Sequence, residues 1–121
     1  MKKLITTATD FIRFKEETLK WIEKYNLGSW EVYFRHRDIP DGTLALVDYD
    51  MEARFAVFHF GKDWDTHAGG KSVAEIRKTA REEVRHLLLA RFHLMALDRT
   101  LTEDALMEEE HAIINALEHA R

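Results

Sequence analysis

Three residues of one predicted helix, Glu82, Glu83 and His86, have the types and the spacing of a metal-dependent hydrolytic site. Residues four apart on a helix lie about one turn apart, so the two histidines of a His-Glu-x-x-His pattern can bind one zinc ion while the glutamate activates water. In this chain Glu83 has the position of the general base and His86 that of the second ligand, but Glu82 replaces the first histidine. Because glutamate is a harder, negatively charged donor, the replacement weakens the preference for zinc.

A carboxylate on the last predicted helix is the candidate third ligand. The apolar face of that helix is formed by Leu106, Met107, Ile113, Ile114 and Leu117. Glu110 falls near the centre of this face, whereas Glu109 flanks it and Glu108 points away. A charged residue inside an apolar stripe is costly unless it has a partner, so Glu110 requires either a cation or a metal ion.

Packing of the two helices against each other would direct Glu110 towards His86. Glu82, His86 and Glu110 would then bind a divalent metal ion and leave room for water. Glu83 would be the catalytic base. Two carboxylates and one imidazole favour an ion harder than zinc, such as manganese or iron. The sequence leaves open whether any metal is bound, and which residue is the third ligand among Glu108, Glu109, Glu110 and His111.

Each of these residues also has an ordinary structural explanation. Glu82 and His86 form an acid–imidazole pair at i,i+4 spacing, which stabilises a helix by a few tenths of a kcal/mol. For Glu83 the ordinary explanation is a solvated surface residue. Glu110 is able to pair with an arginine of the long helix, for which the candidates are Arg81, Arg85 and Arg91.

Hydrophobic periodicity predicts the elements that must position these residues. They are an N-terminal helix, three strands, a long helix that carries the motif, and a last helix capped by Thr102. Their predicted ranges are 10–25, 30–35, 44–49, 54–60, 73–97 and 103 to the C-terminus. The order predicts an α+β fold of one domain, residues 1–121, in which the three strands form an antiparallel meander between the first and second helices.

The long helix carries apolar residues on two sides. One stripe contains Val84, Leu88, Phe92 and Met95, and the other contains Glu82, His86, Leu89 and His93. A helix with apolar residues on two sides is expected to be buried on both. This pattern predicts that Glu82, His86 and His93 lie within or beside the protein interior.

Together these features resemble the small zincin-like metallopeptidases of phages and prophages, relatives of SprT-like and gluzincin-type domains. The likeness covers most of the chain. It includes the strand that begins at Trp30, the Arg-Phe-Ala-Val-Phe segment 54–58, the motif helix 82–90 and the glutamate-rich helix 108–117.

The resemblance implies metal ligation at Glu82 and His86, water activation by Glu83 and a third ligand at Glu110. Since the first motif histidine is absent, it also implies a zincin-like protein with an altered metal site and weak or no peptidase activity. Its cofactor would be zinc, a harder ion such as manganese or iron, or none. A third interpretation of the same residues is an active metallohydrolase that uses Glu82, His86 and Glu110.

Composition restricts the other classes of function. A chain of 121 residues with 45% hydrophobic residues can form one modest core, and the lack of cysteine excludes disulfides and thiolate metal sites. No apolar stretch approaches the length of a membrane span, and a net charge of −4 argues against non-specific binding of nucleic acid. A cytoplasmic location is predicted.

The acidic C-terminal helix gives an alternative function. Residues 103–121 contain six acidic residues and one basic residue. Such a helix is usually a solvated face, but it is also able to bind a protein partner. The alternative is therefore an interaction protein of a mobile element, a host-takeover or defence-inhibiting factor. The oligomeric state does not follow from the sequence.

Overall fold

The computed structural model describes residues 4–65, 67, 69–97 and 102–120. Its helices are α1 (Ala8–Lys24), α2 (Val73–Leu97) and α3 (Glu103–His119), and its strands are β1 (Glu31–Arg37), β2 (Ala45–Asp50) and β3 (Phe55–Gly61). The predicted α+β order of helix, sheet, long helix and C-terminal helix is confirmed. The ends of the predicted domain, residues 1–3 and 121, lie outside the described residues. Among the described helices, none combines the length and the apolar character needed to cross a bilayer.

The sheet is mixed, so the predicted antiparallel meander is wrong in one pairing. The strand order is β1-β3-β2, with β2 antiparallel to β3 and β1 parallel to β3. The connection from β1 to β2 passes the end of β3 at Gly61, where an added Cβ would lie 2.8 Å from the Leu44 carbonyl oxygen. Glycine permits this close approach of two backbone segments. The prediction assumed that consecutive strands are neighbours, which holds for β2 and β3 alone.

The first helix is fixed at its start by a capping box. The Thr7 hydroxyl accepts from the Asp10 N–H at 3.1 Å, and the Asp10 carboxylate accepts from the Thr7 N–H at 2.9 Å. Lys71 donates to the same carboxylate at 2.8 Å. Burial alone would raise the pKa of Asp10, but these hydrogen bonds and the Lys71 charge hold that pKa below its usual value. The ion pair ties the segment before α2 to the start of α1.

One face of the sheet packs on α1 and α2 and forms the core. Phe58 and Phe60 of β3 are fully buried there, and the Phe60 ring stacks on Phe14 of α1 with centroids 4.7 Å apart. The opposite face of the sheet carries Tyr33 and Phe55, which are 53% and 37% exposed. The sheet therefore has one buried and one open face, as alternating side chains allow.

The motif helix α2 is buried on one side, so the prediction of burial on two sides is wrong. Its buried residues are Ile76, Thr79, Ala80, Val84, Leu87, Leu88 and Ala90. The predicted second stripe, with Glu82, His86, Leu89 and His93, is exposed. The reason is that the core, which also contains residues of α1, β2 and α3, takes Ile76, Ala80, Val84, Leu87 and Leu88 from the other side of α2. The prediction of two buried sides arose because the apolar Leu89 lies on the exposed side.

Candidate functional site

A groove between β2 and α2, here called the β2–α2 groove, contains two of the predicted site residues. Its volume is about 520 Å³. Its walls are Ala45, Leu46, Val47 and Tyr49 of β2 and Glu83, His86, Leu89, Ala90 and His93 of α2. The α2 residues recur every three or four positions, which is why a single helix face forms one wall. The groove thus joins two positions of the predicted motif, Glu83 and His86, to an edge of the sheet.

The β2 wall offers backbone hydrogen-bonding groups to the groove. The Gly61 N–H donates to the Leu44 carbonyl at 2.8 Å, which fixes the alternation of the antiparallel ladder. Every second residue of β2 bonds to β3, so the N–H and C=O groups of Ala45, Val47 and Tyr49 point away from β3. Within the described part of the chain β2 is an edge strand, and such an edge can accept an extended segment as a further strand.

Glu83 lies on the groove side of α2 and is half-buried. Burial raises the pKa of Glu83 from 4.5 to about 7, and the charge of the neighbouring Glu82 adds to the rise. A carboxyl group with this pKa is populated in both protonation states at neutral pH, as general acid–base chemistry requires. The interpretation of Glu83 as a solvated surface residue does not agree with this burial. Its role as a base stays a prediction that its environment favours.

Glu82 and His86 lie one turn apart on α2, and both are exposed. The interior position that the sequence predicted for these two residues and for His93 is therefore wrong. His86 and His93 nevertheless face the β2–α2 groove, whereas Glu82 does not line it. The structure consequently places the base position and one ligand position on the groove and the altered ligand position beside it.

The last helix packs on a different side of α2 from His86. Arg91 of α2 and Glu109 of α3 form an ion pair at 3.3 Å. Arg91 comes five residues after His86 and so lies about 140° further around the helix. An arginine of the long helix does meet a glutamate of α3, but the glutamate is Glu109, which the sequence placed at the flank of the apolar face. Glu110, predicted at its centre, is exposed.

The rotation of α3 explains this correction. Its buried residue is Ile113, and Ala116 and Ala120 pack beside it on the core. Small residues let α3 lie close to its neighbours. With this face turned to the core, the larger Met107, Ile114 and Leu117 stay between 44% and 50% exposed. Side-chain size, which hydrophobicity alone does not register, decides which face turns inwards.

The predicted ligands do not fit a metal centre as they are arranged here. Within the residues that the structure describes, no three histidine, aspartate or glutamate side chains are grouped so that they could hold a metal ion. Glu82, His86 and Glu110 are each exposed, and Glu110 belongs to the helix that contacts the far side of α2. Ligation by these three residues stays a prediction without structural support.

The β2 wall of the groove was not found from the sequence. Val47 and Tyr49 showed the alternation of a strand, but the strand that becomes the free edge depends on strand order. Comparison of the chain with protein-family models, with curated proteins and with solved structures finds no match. The likeness to zincins therefore stays an expectation from the sequence.

Proposed function

We propose that this chain is a zincin-like protein of phage or prophage origin that binds an extended peptide in the β2–α2 groove and has weak or no peptidase activity. One observation carries the proposal: Glu83 and His86, the two motif residues that the sequence retains, line a groove whose other wall is a free strand edge. A peptide that adds to this edge gains main-chain hydrogen bonds and passes over both residues.

The donor set, and not the groove, limits the chemistry. Glu82 supplies an exposed carboxylate where the motif needs an imidazole, and no third donor accompanies it among the described residues. Glu83 is still able to accept a proton at neutral pH because its pKa is about 7. The arrangement therefore favours peptide binding with slow hydrolysis or none.

Peptide binding is expected to depend on Leu89. Leu89 lines the groove and is 45% exposed, so an arginine at this position would obstruct the groove without entering the core. We expect the wild-type protein to bind a fluorescein-labelled peptic digest of casein in a fluorescence anisotropy titration. Leu89→Arg is expected to weaken this binding at least about tenfold, which corresponds to about 1.4 kcal/mol.

A matched control lies on the same helix. Leu94 is 43% exposed and does not line the groove, so Leu94→Arg adds the same charge outside the site. Equal weakening by both substitutions, or no anisotropy change for the wild-type protein, would contradict peptide binding in the groove. Hydrolysis of the same digest that persists in Glu83→Gln would exclude Glu83 as the base.

Restoring the first histidine is expected to create metal affinity. Glu82→His places two accessible imidazoles one helical turn apart, with Glu83 between them, and this spacing binds a single zinc ion. Calorimetric titration with zinc chloride should show binding at least about tenfold tighter than in the wild-type protein. Glu82→Gln, which removes the charge without adding an imidazole, is the control. Equal zinc affinity in all three proteins would count against the motif geometry.

The alternative, an interaction protein of a mobile element, is favoured by the exposed stripe on α3. Met107, Ile114 and Leu117 are half-exposed at helical spacing, and Glu110 lies among them. An exposed apolar stripe with charged neighbours is typical of a protein-binding surface. Substitutions separate the two functions. If Leu89→Arg weakens binding of a peptide or protein partner, the binding surface is the groove. If Ile114→Arg weakens that binding, the binding surface is α3.

A further inference from the structure

The sheet has a second edge strand, β1, whose outward residues form a self-complementary sequence. β1 pairs with β3 on one side, and it makes no comparably extensive contact with any other described element. Glu31, Tyr33 and Arg35 alternate along the strand on the open face of the sheet. An acid, an aromatic residue and a base therefore follow one another at two-residue spacing. This edge is distinct from the β2–α2 groove.

The backbone of β1 is available for a further strand. The Glu31 N–H donates to the Arg54 carbonyl at 2.9 Å, and the Arg37 carbonyl accepts from the Lys62 N–H at 3.1 Å. In a parallel pair, alternate residues bond to the neighbouring strand on the same side. The N–H and C=O groups of Val32 and Phe34 therefore point to the free edge.

The side chains next to this edge are exposed, and the one hydrogen bond between the outward side chains of β1 is donated by the Tyr33 hydroxyl to the Glu31 carboxylate at 3.0 Å. Tyr33 is 53% exposed, and Phe55, which is level with Glu31 in the sheet, is 37% exposed. The side chain of Arg35 makes no hydrogen bond or ion pair with any residue that the structure describes. Arg37, by contrast, donates to His59 Nδ1 at 2.8 Å and is already engaged. The guanidinium group of Arg35 is thus available to pair with a carboxylate of another molecule.

We propose that two copies of this chain pair β1 with β1 in antiparallel orientation about a two-fold axis at Tyr33. The two sheets would then form one continuous six-stranded sheet. In this register Tyr33 lies opposite Tyr33 of the second copy, and Glu31 lies opposite Arg35 of the second copy. The symmetry repeats the ion pair on the other side of the axis. Directly opposite side chains in such a pair have Cβ atoms about 5 Å apart, close enough to interact.

The order of the charges selects this partner and this orientation. Charged side chains on an edge strand usually discourage pairing because like charges meet. With an acid at one end of β1 and a base at the other, antiparallel pairing of two identical strands brings opposite charges together. Parallel pairing would bring Glu31 to Glu31 and Arg35 to Arg35, which is destabilising. The two Tyr33 side chains would lie side by side on the open face of the joined sheet.

Charge exchange tests the pairing. Sedimentation equilibrium of the wild-type protein should show a reversible dimer. Arg35→Glu and Glu31→Arg each place like charges opposite one another twice, so each is expected to weaken the dimer at least about tenfold. The double variant Glu31→Arg with Arg35→Glu restores opposite charges and should recover wild-type association. Glu52→Arg, in the exposed turn between β2 and β3, changes the net charge as Glu31→Arg does and should leave the dimer unchanged.

A cysteine on the proposed axis tests the register. The chain has no cysteine, so Tyr33→Cys introduces a single thiol that would face its own copy. Mild oxidation should convert dilute Tyr33→Cys into a disulfide-linked dimer, because the opposing Cβ atoms lie near disulfide distance. Leu94→Cys, equally exposed on α2, should stay monomeric on denaturing gels under the same conditions. A wild-type monomer at every concentration, a double variant that does not recover, or equal cross-linking of both cysteine variants would overturn the proposal.

Discussion

Replacement of Phe58 by alanine is expected to lower the free energy of unfolding by about 3–5 kcal/mol. Phe58 lies in the central strand β3 and is fully buried, and its ring stacks on Phe34 of β1 with centroids 5.8 Å apart. Truncation removes this contact and leaves a cavity where the sheet meets the helices. Because domains of this size have stabilities of about 5–15 kcal/mol, the variant should lose a large part of its stability.

Phe55 is the matched control for this measurement. It belongs to the same strand but lies on the open face of the sheet and is 37% exposed, so Phe55→Ala should cost about 1 kcal/mol or less. Urea unfolding of both variants at low protein concentration gives the comparison without a contribution from association. A loss at Phe58 no larger than the loss at Phe55 would contradict the assignment of the buried sheet face.

The second large effect is a pH-dependent gain of stability in Glu83→Gln. The pKa of Glu83 is raised from 4.5 to about 7 in the folded protein, so the folded state holds this proton more tightly than the unfolded chain does. The wild-type protein therefore loses stability as pH rises from 4.5 to about 7. The shift corresponds to at most about 3 kcal/mol, and partial exposure of Glu83 reduces this to about 1–2 kcal/mol.

Glutamine at position 83 does not ionise, so the variant does not lose this stability as the pH rises. Its advantage over the wild-type protein should be small at pH 4 and should reach about 1–2 kcal/mol at pH 8. Urea unfolding at both pH values measures the difference, and Glu108→Gln, at an exposed position of α3, serves as the control. A gain of the same size at both pH values would show that ionisation of Glu83 is not its cause.

The helices could be predicted from the sequence because their signals are local. The range predicted for the motif helix, 73–97, is the range of α2, and Thr102 caps α3 as predicted. Apolar spacing and a capping hydroxyl act within a few residues of one another, so no knowledge of the rest of the fold is required. The strands were located to within two residues for the same reason.

Strand order and helix rotation could not be predicted because they depend on distant residues. The parallel pairing of β1 with β3 requires the connection that passes Gly61. The residues near β1 give no local signal of this pairing. The inward rotation of α3 exchanges Glu110 for Glu109, a difference of one residue that follows from close packing of Ala116 and Ala120. The metal-ligand hypothesis depended on the second of these features, the rotation of α3.

The candidate site could be predicted from the sequence in part. Glu83 and His86 share a groove because three residues separate them on one helix, which the sequence fixes directly. The opposite wall belongs to β2, and its place at the sheet edge is a consequence of strand order. A sequence can therefore give the helical half of such a site before the fold is known, but the strand half requires the fold.

The parallel pairing of β1 also governs how the chain can fold. β2 and β3 are joined by a short turn and can form a hairpin early, whereas β1 must close a longer loop to reach the far side of β3. During synthesis β1 is made before β3, its neighbour in the described sheet, exists. A nascent chain thus carries this strand unpaired for the time needed to make more than twenty further residues. The charges of Glu31, Arg35 and Arg37 would keep it hydrated during that interval.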